Sequence, residues 1–242
     1  MKPDDLDHAS RGHAVLPPSS ADKWLHCHAW MRTVAFHREL YGSQEVVSAA
    51  AAEGTAAHER FEIMLRQSAQ GETEFDEDLL PLVEWVHSQE GAKYYERTVD
   101  WGAELGGFVD LTGTVDVTIV ADDCITVADL KYGRGLVEVE ENPQLMTYLS
   151  GLVDLHGRRK FYRLAILQPR AYHKDGPVRI YELDNEELDG FRSRLLIAVK
   201  ANFGNGQPVA GDHCRKFCPA LASCREVIFA ARRRLFDARD DV

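Results

Sequence analysis

The sequence predicts an α/β fold, with helices packed around a mixed β-sheet in one domain. Three observations lead there. Helical spacing of apolar residues dominates the chain up to about residue 89. Runs rich in β-branched and aromatic residues then occupy 96–181, interrupted by one helical segment and followed by another. The 242 residues, 45% of them hydrophobic, suffice for one large core.

In chain order, residues 1–15 are polar and aperiodic, predicting a disordered tail ahead of a single domain over 16–242. Pro17-Pro18-Ser19-Ser20 opens a helix, with Ser19 as N-cap and Asp22 three residues on, and Cys27 is expected on this helix. After a turn at Tyr41-Gly42-Ser43, a second helix is predicted over 46–67, with Gly54 as its weak point. His58, Phe61 and Leu65 share one face of it. The acidic stretch 71–78 reads as a solvated loop, and a further helix covers 79–89. Strands are predicted over 96–101, 107–120, 124–130, 161–167 and 178–181, with turns at Gly106-Gly107 and Asp122-Asp123. Helices over 143–156, 186–202 and 225–234 complete the set.

The formal net charge of −11 argues against a general nucleic-acid coat protein, whose affinity comes from phosphate neutralisation. It leaves room for an enzyme that binds DNA through a local basic channel. Candidate patches are Arg158-Arg159-Lys160, Arg232-Arg233-Arg234, and Lys131 with Arg134; the first two read equally well as solvated helix or loop ends. No stretch reaches the roughly 18 apolar residues of a membrane span. The first residues carry no apolar signal region, so a cytoplasmic protein without membrane partners is expected. In that compartment the five cysteines, Cys27, Cys124, Cys214, Cys218 and Cys224, are not expected to pair as disulfides. Three of them within eleven residues suggest a metal or cluster site, whereas Cys124 reads as a small buried hydrophobe.

The chemistry centres on Val127-Ala128-Asp129-Leu130-Lys131. Residues two apart on a strand point the same way, so Asp129 and Lys131 face one side together. Alone this is compatible with a surface ion pair. The preceding strand, Gly113 to Val120, alternates so that Thr114, Asp116 and Thr118 share a face. If the two strands form a hairpin, Asp116 and Asp129 converge on one cation, and oxygen ligands suit Mg²⁺ or Mn²⁺. Lys131 would then orient water or offset transition-state charge. His58 is either a core histidine or a third ligand, depending on whether its helix covers the hairpin. Gln144 and Tyr148, four apart on a helix, can bond a phosphate or hold Lys131.

The series Gly-Thr-x-x-His at 54–58, Gly-Thr-Val-Asp at 113–116, Asp-Leu-Lys at 129–131 and Gln-x-x-x-Tyr at 144–148 resembles the RecB-type branch of the PD-(D/E)XK nucleases. The resemblance implies a restriction-endonuclease-like sheet and a metal-dependent DNA exonuclease acting on ends or single strands. It implies metal binding by His58, Asp116 and Asp129, catalysis by Lys131, and support from Gln144 and Tyr148. Glu96 falls to a minor supporting role or to a plain surface carboxylate. A non-catalytic DNA-end-binding accessory module, working with other recombination proteins and possessing the same fold, is the alternative.

One upstream cysteine with a C-terminal trio also resembles the cluster-bearing members of this branch, the AddB-type and CRISPR adaptation nucleases. It implies a structural 4Fe–4S cluster on Cys27, Cys214, Cys218 and Cys224 that clasps the two chain ends. Here the first two C-terminal cysteines are separated by three residues, where that family usually shows two. His26, His28 and His213 flank the cysteines, so a Zn²⁺ site remains an alternative. The opening Leu16-Pro-Pro-Ser-Ser20, with Trp24 and Cys27, resembles a phage and prophage family of such nucleases and implies a role in recombination or DNA processing.

Overall fold

A computed structural model of the chain describes residues 15–42, 48–68, 76–102, 111–215 and 218–240. The predicted tail, apart from Val15, lies outside the described residues, as do most of the acidic loop and the Gly106-Gly107 turn.

Five strands form one sheet in chain order: β1 (Ala92–Asp100), β2 (Thr112–Val120), β3 (Cys124–Leu130), β4 (Phe161–Leu167) and β5 (Val178–Leu183). Neighbours are antiparallel except β3 and β4, which run parallel. A parallel pair needs a long crossover, and α5 (Pro143–His156) supplies it. Asn142 starts that helix by accepting the backbone N–H groups of Gln144 and Leu145, and Pro143 fits the first turn because it has no N–H to lose. Gly157 stops it at a φ of +78°. On α6 (Asn185–Phe203), Asp184 and Glu187 form a reciprocal capping box.

Every residue of β3 is buried, as expected of a strand covered on both faces. α3 (Ala49–Ser68) and α4 (Leu80–Ser88) cover one face, where Phe61, Leu65 and Leu82 meet Val117, Ala128 and Leu130. On the other face, Leu145, Leu149 and Leu152 of α5 pack with Ile125, Val127, Leu164 and Ile166. His58 therefore sits on a helix that does cover the sheet.

The N-terminal helix predicted from Ser19 is broken. Ser19 lies in a 3-10 turn, Pro18–Ser20, followed by α1 (Ala21–Trp24) and, after a gap, α2 (Trp30–Tyr41), with no side-chain cap at the start. Cys27 lies in the gap, not on a helix. Tertiary anchors explain the break. The Trp24 ring stacks on Trp101 at 5.5 Å, and its indole N–H donates to Pro17 O at 2.9 Å. Buried Asn202 of α6 donates to Trp24 O and accepts from Met31 N, pinning both sides of the gap. The chain closes with α7 (Asp212–Arg215) and α8 (Arg225–Asp240).

Candidate active site

β1 and β2 each turn over part-way along. Tyr95 and Val117 pack on the α3–α4 side of the sheet, whereas Val99 and Val115 pack on the α5 side. On a regular strand, residues two or four apart share a face, so both strands reverse near residues 96 and 116. The predicted single face of Thr114, Asp116 and Thr118 is corrected accordingly. In the β1–β2 register Glu96 stands opposite Asp116, and Glu96 has a φ of +50°, a left-handed value that is costly for a residue with a side chain.

At this reversal the sheet opens. β2 and β3 pair only as far as Val117 and Ala128, and beyond that point Asp116 Oδ2 accepts the backbone N–H of Leu130 at 2.7 Å. The same oxygen lies 3.2 Å from His58 Nδ1. His58, Glu96 and Asp116 offer ligand atoms that all lie within 4.8 Å of one another. Glu96 is the residue that sequence reasoning undervalued, because only the non-local β1–β2 register brings it here.

Asp129 stands beside this set with both oxygens engaged. Lys131 Nζ is 2.7 Å from Oδ2, and Gln144 Nε2 donates to Oδ1 at 2.7 Å. Gln144 Oε1 accepts from Lys131 Nζ at 2.9 Å, closing a triangle of carboxylate, ammonium and amide. Tyr148 is buried one helical turn beyond Gln144 on α5, and its ring lies where a Cβ on Gly113 would come within 2.7 Å. The glycine of the Gly-Thr-Val-Asp motif thus makes room for the tyrosine of the Gln-x-x-x-Tyr motif. The glycine of the Gly-Thr-x-x-His motif, Gly54, shows no such packing reason among the described residues, where a Cβ would meet no atom within 4 Å.

Burial opposes the His58 imidazolium, but the charge and hydrogen bond of Asp116, aided by Asp129 and Glu96, outweigh it and lift its pKa to about 9. A proton thus holds positive charge where three carboxylates converge. Burial pushes the Asp129 carboxyl above its ordinary range, with Lys131 pulling the other way. Burial likewise opposes the Lys131 ammonium, but Asp129 prevails and its pKa is raised. Burial and the charges of Asp129 and Asp116 raise the Tyr148 phenol, which stays protonated and able to donate.

The four cysteines predicted to act together lie within electrostatic reach of one another. Burial raises the Cys27 thiol, and the charges of Cys214 and Cys224 raise it further. Cys218 is raised first by burial and then by Cys214, Cys27 and Cys224. All four are free thiols, and among the described residues no three cysteine sulfurs lie within 4.8 Å of one another. Nearby, the His26 and His213 rings stack at 5.5 Å, and His213 Nε2 meets Val209 O at 3.0 Å. Cys124 is buried in β3, its sulfur 3.8 Å from the Thr126 hydroxyl.

Of the predicted basic patches, Arg158 is bound to Asp189 and Asn185, and Arg159 to the carbonyls of Ala121 and His156. These two hold the fold together. Arg232 and Arg233 are exposed on α8, whereas Lys131 lies at the site and Arg134 three residues beyond it. Among the described residues no helix is long and apolar enough to cross a membrane.

A family described as "Protein of unknown function (DUF2800)" matches residues 13–106 and 96–237. The chain belongs to that family. Among solved structures, SSO0001 is similar over 90% of this chain and 91% of its own, at 18% identity and a TM-score of 0.47. A Eubacterium rectale protein named "Putative exonuclease" is similar over 90% of this chain and 93% of its own, at 10% identity and a TM-score of 0.46. At these values the likeness assigns neither substrate nor activity to the DUF2800 chain.

Proposed function

We propose that this DUF2800 protein is a divalent-metal-dependent nuclease that hydrolyses phosphodiester bonds at DNA ends or in single strands. The observation that carries the reading is the Asp129–Lys131–Gln144 triangle set beside the His58, Glu96 and Asp116 ligand atoms. A mixed imidazole and carboxylate donor set fits Mg²⁺ or Mn²⁺, with His58, Glu96 and Asp116 holding the ion and Asp129 at its margin. A bound ion would supply charge to the phosphate and a more acidic water. The chain's own residues do the rest. Lys131, held protonated by Asp129, offsets charge developing on the phosphate oxygens. Gln144 fixes the ammonium and the carboxylate at once, and buried Tyr148, four residues on along α5, walls the site behind it. The resemblance of the four sequence motifs to RecB-type nucleases supports the same reading.

The test is a time course on end-labelled linear DNA beside a closed circle, in Mn²⁺ and then in EDTA. Linear DNA should shorten from its ends in Mn²⁺ only, and the circle should persist. Lys131→Ala should slow the reaction by roughly a thousandfold, about 4 kcal/mol of barrier. Wild-type speed from that variant, or no cutting of any DNA by the parent, refutes the proposal.

Cys27, Cys214, Cys218 and Cys224 are further proposed to hold a structural iron–sulfur cluster. The donor set is four free thiols drawn from two stretches far apart in the sequence, the number a 4Fe–4S cluster takes. A brown anaerobic preparation with about four irons supports this, and a colourless one with a single zinc overturns it.

A further inference from the structure

The loops leaving the carboxyl ends of β3 and β4 stand side by side, because these strands are the parallel pair of the sheet. Residues 131–136 and 168–177 carry Lys131, Arg134, Arg170 and Lys174 against one carboxylate, Asp175, which lies 3.6 Å from His173, in a chain whose 39 acidic residues outnumber its 28 basic ones. This local excess of positive charge borders the candidate active site directly, through Lys131.

The first loop is fixed from beneath. Gln168, buried, donates to the carbonyls of Gly133 at 2.9 Å and Gly135 at 2.8 Å, and accepts from Val137 N at 3.2 Å. Arg179, also buried, donates to Val137 O at 2.6 Å and to Gln168 Oε1 at 2.5 Å. Above, the Tyr132 ring lies 4.6 Å from the Arg170 guanidinium and 5.9 Å from that of Arg60. Arg170 also meets Glu53, and Arg60 meets Asp76, but a guanidinium has five N–H donors and these acids use only some of them.

Two further observations point outward. Among the described residues, a Cβ added to Gly133, Gly135 or Gly54 would meet no atom within 4 Å, and none of the three has a left-handed φ. Neither packing nor backbone conformation of the chain itself calls for glycine there; the missing side chains leave bare backbone next to the site. Tyr172, two residues beyond Arg170, is 95% exposed, an aromatic side chain turned almost wholly to solvent.

We propose that these two loops form a landing surface for a single nucleic-acid strand. Its phosphates meet Arg134 and Arg170, its backbone passes over Gly133 and Gly135, and an unpaired base stacks on Tyr172. Stacking on an exposed ring needs a base free of its partner, which selects a single strand over a duplex. The inference rests on the phosphodiester-hydrolysis reading for its direction, but it is tested by binding alone.

The experiment measures fluorescence anisotropy of a labelled single-stranded oligonucleotide, as DNA and as RNA, in EDTA at several salt concentrations. Tyr172→Ala should weaken binding about tenfold on at least one of the two strands, while Tyr172→Phe keeps parental affinity. Arg134→Ala should flatten the log–log salt dependence by about 0.7. Parental affinity in Tyr172→Ala and Arg134→Ala, or a parent that binds neither strand, overturns the landing surface whatever the protein cuts. A parent that shows these losses yet hydrolyses nothing upholds the surface and removes the nuclease reading.

Discussion

Lys131→Met separates what the ammonium does for the fold from what it does for chemistry. Lys131 Nζ lies 2.7 Å from Asp129 Oδ2, and the two side chains are 27% and 4% exposed. Removing one partner of a buried ion pair typically costs about 3–5 kcal/mol, because the other charge stays buried alone. Here the lysine is partly solvated, Gln144 still donates to Asp129, and His58 still carries a proton below about pH 9. These offsets place the loss nearer about 2–3 kcal/mol at pH 8, by the same reasoning. For a chain of this size that lowers Tm by roughly 4–12 °C.

The pH dependence has a fixed sign. Burial already raises the Asp129 carboxyl above its unfolded value, and without Lys131 it rises further. Between the unfolded and folded pKa values the folded chain holds a proton that the unfolded chain has released, so stability falls as pH rises through that window. The deficit of Lys131→Met is therefore largest at pH 8 and shrinks as pH falls toward and through the folded pKa. Thermal melts at pH 5 and pH 8 measure it. Adding Asp129→Asn removes the stranded charge, so the double variant should melt above Lys131→Met at pH 8. Parental Tm in Lys131→Met at pH 8, or a double variant no better than the single one, refutes the buried-pair account.

His58 must shed its proton to take an ion, so apparent Mn²⁺ affinity by calorimetry should rise about tenfold per pH unit from pH 7 toward its pKa of about 9 and then level off. An affinity that is flat over this range removes His58 from the ligand set. Glu96→Gly relieves a left-handed residue and should raise stability by up to about 1 kcal/mol while weakening Mn²⁺ binding at least about tenfold. Unchanged Mn²⁺ affinity shows that Glu96 is not a ligand. Cys27→Ser should lose iron and expose the segment around Cys214 and Cys218 to limited proteolysis, and a full iron complement in that variant dissociates Cys27 from the cluster.

What the sequence made legible is what local periodicity encodes. The five strands and the helix over 143–156 follow from β-branched runs and a 3.6-residue repeat, and Asp129 with Lys131 follows from a two-residue repeat on a strand that stays regular. Asp116 was findable as a residue but not in its true orientation, because alternation assumes a strand that never turns over, and β2 does so between Val115 and Val117. Glu96 carries no local mark at all. Its place is set by the pairing of Tyr95 with Val117 and Arg97 with Val115, a contact between residues far apart in the chain. The Ser19 capping pattern misled for a related reason: the Trp24–Trp101 stack and the Asn202 bonds outweigh a single cap, worth about 1 kcal/mol, and stop the helix early. Gln168 and Arg179, which hold the loop after Lys131, are likewise visible only once β4 and β5 lie side by side.

The charges at the site explain why the sheet opens where it does. Glu96, Asp116 and Asp129 bring three formal negative charges to one spot, and Lys131 answers one of them. In a regular sheet, carboxylates directly opposite one another on β1 and β2 repel. Two devices relieve that repulsion: the reversal of both strands, which takes Asp116 onto the Leu130 N–H, and the proton on His58. That proton still leaves one negative charge unanswered. A divalent cation replacing it would balance the set, which a monovalent ion cannot do. A phosphodiester entering such a balanced site would bring the next negative charge itself, and Arg134 and Arg170 lie on the two loops that follow β3 and β4, the first of which begins at Lys131. On the proposed reading, the acidic cluster and the basic loops are two halves of one electrostatic arrangement, in which a divalent ion would satisfy the protein and the loops would satisfy the strand.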